Sequence, residues 1–145
     1  MIEQHYGEQC IDDALHASLE ALLNRCTIPE NAKRLVLNCR QMSYYRHRQG
    51  LHPIEVQLKR ESVSSPWLVV FFASFSYPDD KSASVEPELY FHLTNRWCYQ
   101  PDVGSTDLSH PEVQELLSVW MKAFARHLST NVFDDVQLTM LSTLH

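Results

Sequence analysis

Residues 44–50 read YYRHRQG and concentrate groups that can grip an anion. Arg46 and Arg48 can donate charge-assisted hydrogen bonds to phosphate, and Tyr44 and Tyr45 can stack on bases. The segment around them is basic. Between residues 33 and 60 stand Lys33, Arg34, Arg40, Arg46, Arg48, Lys59 and Arg60, with Glu55 the single acid, in a chain whose net charge is -6. Charge segregated in this way can mark an interaction surface. The candidate contacts for an anionic partner are Tyr44, Tyr45, Arg46, Arg48, Lys59 and Arg60. A hairpin would carry Arg40 toward the same end as Lys59 or Arg60, giving one basic face. Against this, folding can scatter the charges and leave the stretch a solvated loop. The acidic total also opposes nucleic-acid binding, and no fold signature of a nucleic-acid binder accompanies the segment.

Other chemistries find less support. The chain has 8 histidines. His47 and His52 are five apart across a glycine and His92 lies in a strand-like stretch, but no helical HxxxH or two-His-one-carboxylate spacing occurs, so no metal site is expected. The cysteines at 10, 26, 39 and 98 form no CxxC pair. Cys26 and Cys39 fall on apolar faces and read as small core residues. There is no GxSxG, and 3 isolated glycines cannot build a phosphate-cradling loop. Asp79-Asp80 and Asp134-Asp135 read as solvated turn residues. Glu55, near His52, is the one acid placed for general-base work, and pairing with a neighbouring lysine or arginine is its commoner fate. No catalytic residue and no cofactor are expected.

These groups must be positioned by a single domain, since 145 residues suit one core. Residues 8–26 form an amphipathic stripe, Ile11, Leu15, Leu19, Leu22 and Cys26, which predicts a helix. Pro29 ends it. Residues 34–40 (RLVLNCR) and 52–60 (HPIEVQLKR) alternate as strands. WLVVFFASFSY, 67–77, is apolar on both alternations and predicts a central strand covered, at least partly, on both sides. LYFHLTN and WCYQ read as a further strand pair. Ser109 with Glu112 has capping-box spacing, and Leu108 with Val113 can form a hydrophobic staple. The helix that follows buries Val113, Leu116, Leu117, Trp120, Phe124 and Leu128. FDDVQLTML closes the chain as a strand. The sum is an α+β domain spanning residues 1–145, a mainly antiparallel sheet of about five strands with two principal helices packed on it.

Five stretches, GLHPIEVQL (50–58), FASFSYPD (72–79), PELYFHL (87–93), VWMKAF (119–124) and VFDDVQLTM (132–140), together resemble a bacterial family known as domain of unknown function 2787. The family-like region covers about residues 34–141. The resemblance implies an α+β fold and a setting among bacterial mobile genetic elements. It implies no activity.

The N-terminus carries no secretory signal, and the longest apolar run is too short to span a bilayer, so a cytoplasmic location without membrane attachment is expected. The expected function is that of a non-enzymatic accessory module binding another protein, with self-association a second use of the same surface. The candidate protein-partner surface is Trp67, Phe71, Phe75 and Tyr90. The alternative is a nucleic-acid-binding accessory factor using the basic segment 33–60.

Overall fold

A computed structural model describes residues 1–144. The elements run β1 (His5–Tyr6), β2 (Gln9–Cys10), α1 (Asp13–Asn24), β3 (Ala32–Arg40), α2 (Met42–His47), β4 (Ile54–Lys59), β5 (Leu68–Ser76), β6 (Glu86–His92), β7 (Trp97–Gln100), β8 (Gly104–Asp107), α3 (Pro111–Ser129) and β9 (Asp135–Thr143). β1 and β2 make a small hairpin. The other seven strands form one sheet in the order β8-β7-β6-β5-β4-β3-β9. Every pairing within it is antiparallel. The α+β antiparallel architecture expected from the sequence is present, with seven strands in the main sheet rather than about five, and a third, short helix.

Two of the differences have local causes. β8 is Gly-Ser-Thr-Asp, a polar run with no apolar alternation, so it pairs through its backbone alone. α1 starts at Asp13 because the Asp12 carboxylate accepts from the Leu15 N–H as N-cap. Residues 9 and 10 belong instead to β2.

The cap of α3 is His110, whose Nδ1 accepts from the Glu112 N–H at 3.2 Å. Ser109, the expected cap, donates to Asp107 instead. Pro111 decides this. It lacks an N–H and its fixed φ suits the first helical position, so the preceding residue becomes the cap.

Both long helices pack on one face of the sheet. The core there is built from Leu15 and Leu19 of α1, Leu117, Met121 and Phe124 of α3, and the inward residues of the strands, such as Leu37, Val56, Phe72 and Phe91. Trp120 is half-buried rather than buried. It lies against Phe72, Phe91 and Phe124, with ring centroids 5.3 to 5.7 Å away, and leaves one side open to a pocket. Leu116, Leu128 and Cys26 are likewise partly exposed at the rim. Neither long helix covers the opposite face of the sheet, and β5 is apolar on that side too because a second cluster, Val70, Phe71 and Ala73, sits there with Phe75 and Tyr90.

Candidate functional site

The YYRHRQG stretch is not a free loop. Met42–His47 form α2, Arg48 closes it in the left-handed region (φ 57), and Gly50 follows at φ 112. A side chain at Gly50 would collide with Gln41 and Ser43, so only glycine fits that turn. The Met42 N–H at the helix start donates to Asp134, from the chain leading into β9. Tyr44 is buried, its ring against Tyr77 and His52 and its hydroxyl accepting from the Tyr77 N–H at 3.0 Å. It therefore cannot offer a ring to a base. Arg48 stacks over Tyr77 at 3.6 Å and donates to the carbonyls of Asp79 and Ser82. The stretch fastens the β3–β4 connection to the β5–β6 connection.

The basic residues do not converge. β3 and β4 pair Arg34 with Lys59, and Cys39 with Ile54. Arg40 thus lies at the opposite end of the hairpin from Lys59, about 20 Å away at strand spacing. Arg40 instead pairs with Asp135 at 3.5 Å. Arg60 is buried and turned inward. Its guanidinium donates to the carbonyls of Ala32 and Glu30, both at 2.8 Å, and stacks on Trp67 at 4.3 Å. Arg46 is exposed, and Tyr45 is half-buried near Arg40. Of the six candidate contacts, Arg46 and Arg48 are exposed and Lys59 is half-buried; Arg48 is held on Tyr77 and two carbonyls, and Lys59 stands at the other end of the sheet from Arg46.

Glu55 and His52 lie on opposite sides of the sheet, as an odd separation along an extended chain requires. Burial raises the pKa of Glu55, and Arg40 opposes that shift. His52 reaches Glu88 instead, Nδ1 to Oε2 at 2.9 Å, and the Ser74 hydroxyl donates to the same oxygen at 3.2 Å. These groups edge a pocket of about 260 Å3 whose walls include Trp120, Phe124, Phe133 and His127. Burial, then Arg126, lowers the pKa of His127. The carboxylate occupies the middle of this chain, so the histidine does not face the serine hydroxyl, and Ser74 is itself buried. The arrangement differs from a nucleophile–base–orienter series, in which the base stands between the other two. Among the described residues no three His, Cys, Asp or Glu side chains converge to hold a metal ion.

The helix-free face offers the more developed surface. Its β5, β6 and β7 portion is aromatic. Register sets His92 between Phe71 and Trp97, and Tyr90 between Ala73 and Tyr99. Ala73 is small, so Tyr90 leans diagonally over Phe71, ring centroids 4.5 Å apart. On its other side Tyr90 stacks on Trp97 at 5.1 Å and 6°, and Trp97 stacks on His92 at 4.9 Å. Phe71 is buried at the floor; Tyr90, His92, Trp97 and Tyr99 are half-buried. Burial, then Lys59, lowers the pKa of His92, and burial, then Glu55, raises that of Tyr90. A groove of about 600 Å3 opens beside this ladder, lined by Pro87, Tyr90, Trp97, Tyr99, Pro101 and Glu86.

Of the four residues expected to face a protein partner, Tyr90 belongs to this ladder and Phe75 is half-buried near it. Phe71 forms its floor. Trp67 is buried on the other side, in the helix-covered core, and is unavailable. Trp97, Tyr99 and His92 were not among the expected contacts. Their signal was the alternation of LYFHL and WCYQ, in which Phe91 and Cys98 turn inward and their neighbours turn out.

A search of curated proteins found no significant match. Among solved structures, the fold is similar to that of a hypothetical protein from the VSP-II pathogenicity island of Vibrio cholerae. The two are 20% identical, with a TM-score of 0.79 over 90% of this chain and 93% of that one. It is also similar to a conserved hypothetical protein from the VPI-2 pathogenicity island of Vibrio cholerae O1 biovar eltor, described as sharing structural homology with the human P32 protein. That pair is 25% identical, with a TM-score of 0.74 over 89% and 94% of the two chains. Among the described residues no helix is long and apolar enough to cross a membrane. The family model for proteins of unknown function DUF2787 matches residues 13–139, and the chain belongs to that family.

Proposed function

We propose that this chain is a non-enzymatic binding module, an accessory protein of a bacterial mobile element, which holds an extended segment of a protein partner on the helix-free face of its sheet. The observation that carries this reading is the stacked ladder Phe71–Tyr90–Trp97–His92 beside an open groove. Flat aromatic and proline walls accept proline-bearing or other apolar extended segments, whose ordering costs little entropy. Aromatic side chains of this kind also supply most of the energy in protein interfaces. The mobile-element setting is supported by the pathogenicity-island origin of both structural neighbours.

A protein segment fits better than a nucleic acid because the groove rim is acidic. Glu86, Asp102 and Asp107 are exposed around it, and they would repel a phosphate backbone. The same acids favour a partner with basic flanks. The test is affinity purification from the native cell with wild type and a Trp97→Ala/Tyr99→Ala variant, with and without nuclease. A protein retained by wild type, resistant to nuclease and lost from the folded variant supports the reading. A partner held equally by both proteins, or released by nuclease, refutes it.

A further inference from the structure

The two edges of the main sheet are unlike. At one end β8 has four residues, is polar, and ends on Asp107. Short, polar, charged edges resist pairing with another chain. At the other end β9 runs Asp135–Thr143 with no partner on its outer side. After Asp135 it carries no charged residue and no proline through Thr143. Three of the large apolar side chains that stand exposed on this protein, Val136, Met140 and Leu141, lie on this strand, at 42%, 40% and 50% exposure. A long, uncharged strand with a free row of N–H and C=O groups is a template for another strand.

We infer that β9 is a homodimer edge, where it pairs antiparallel with β9 of a second copy in a register centred on Leu138. The sequence selects this occupant and this register. Val136, Leu138 and Met140 share the helix side of the sheet, opposite Cys39, Leu37 and Leu35 of β3. Leu138 is half-buried, while Val136 and Met140 stand open. Antiparallel pairing about Leu138 sets Val136 of each copy against Met140 of the other, and Leu138 against itself, closing one apolar row. Gln137 and Thr139 then face each other on the opposite side. A parallel arrangement would instead set Asp135 against Asp135.

The regular part of the strand agrees with this choice. The pairing of β3 with β9 is in step from Asp135 to Met140 and shifts at Leu141, where β9 bulges. A register centred on Leu138 uses Val136 to Met140, all on the regular side, and leaves the bulge opposite Asp135. Pairing of five residues with one apolar row buries less than a standard interface, so the dimer is weak and concentration-dependent. This surface is independent of the aromatic groove, and either can hold without the other.

Sedimentation velocity on the full chain, from about 1 to about 100 µM, tests the inference over the range of weak interfaces. Wild type should pass from monomer to dimer. A Val136→Lys/Met140→Lys variant puts like charges opposite each other twice per dimer and should raise the dissociation constant about tenfold or more. Its thermal midpoint should be unchanged, because both sites are exposed. Mixing it with a Val136→Glu/Met140→Glu variant should restore a heterodimer. Wild type that stays monomeric throughout, a lysine variant that dimerises like wild type, or charge partners that do not recombine would each overturn the inference. Hydrogen exchange of wild type at both ends of the concentration range keeps the test open if a variant fails to fold. Protection of the alternate amides within Val136–Met140 that face away from β3 should rise with concentration, and a rise confined to any other segment would also overturn it.

Discussion

Replacing Arg60 tests whether the basic segment is a surface or a piece of the core. The Ala32 and Glu30 carbonyls each accept from this guanidinium at 2.8 Å, and Trp67 lies beneath it. Arg60→Ala removes both bonds, and a longer one to the Pro29 carbonyl at 3.4 Å. Ala32 is fully buried, so its carbonyl loses its partner with no route to water, which costs about 1–3 kcal/mol. Glu30 is exposed and its carbonyl can turn to solvent, so it adds little. The contact with Trp67 is worth about 1 kcal/mol at a partly desolvated site. The aliphatic stem fills space that alanine leaves empty, for about another 1 kcal/mol. The expected loss is about 3–5 kcal/mol, a large share of the roughly 5–15 kcal/mol that holds a domain of this kind. Arg60→Lys should fall between, since an ammonium reaches a carbonyl but does not stack as a plane. Arg46→Ala, on the exposed side of α2, should change stability by less than about 0.5 kcal/mol. Equilibrium urea unfolding of the three variants gives the comparison. A loss below about 1 kcal/mol for Arg60→Ala would refute the anchoring role and return Arg60 to the surface.

Two further outcomes follow from burial. Under native conditions a thiol reagent should modify Cys10 and Cys26 readily, whereas Cys39 and Cys98 should react only on unfolding; both are buried, and burial pushes the Cys39 thiol up to about 12. Burial holds the His92 and His127 pKa values below the ordinary 6.5, so the unfolded chain binds protons that the folded chain refuses. Stability should therefore fall as pH drops below about 6.5 toward the folded values. His92→Gln/His127→Gln should flatten that part of the urea-midpoint profile, and a slope unchanged by the double substitution would show that other groups set it.

What the sequence shows and hides divides along physical lines. Strong periodicities survive folding: the Leu15-Leu19-Leu22 stripe of α1, the β4 alternation Ile54-Val56-Leu58, and the Val113-Leu117-Phe124 line of α3 lie where their patterns place them. β8 is hidden because a four-residue polar edge strand is specified by its neighbour's free backbone, not by its own side chains. α2 is hidden because six residues have no helical period to read, and its start is capped by Asp134, ninety-two positions away. Charge is the weakest guide. Seven basic residues in one segment suggest a face, yet a guanidinium on a long stem can turn inward to carbonyls, as Arg60 does, or fold back on a tyrosine, as Arg48 does. The aromatic ladder was legible only in part. Tyr90 shows itself in the alternation, but its partners depend on register, which brings Trp97 and Phe71 to its two sides.

Both surfaces proposed for binding follow from one asymmetry of the chain. α1 and α3 share the same face of the sheet and contact each other, so neither long helix covers the remaining face. On β3, β4 and β9 that face is mostly polar, with Asn38, Gln57, Glu55 and Gln137 around the buried Val36. On β5 to β7 it is aromatic, and half-buried tyrosine and tryptophan can remain wet while offering apolar area to a partner. The same two helices leave the helix side of β9 short of cover, which is why Val136 and Met140 stand open. From β6 to β9 there are four interstrand steps, about 19 Å at the usual spacing. A partner segment on the groove would therefore not obstruct a second copy on β9. A β9-joined dimer would carry two grooves toward the outer ends of one continuous sheet. A bivalent partner would meet both at raised effective concentration, and its retention would fall in the Val136→Lys/Met140→Lys variant although the groove is untouched. A partner with one binding segment would be held equally by both proteins.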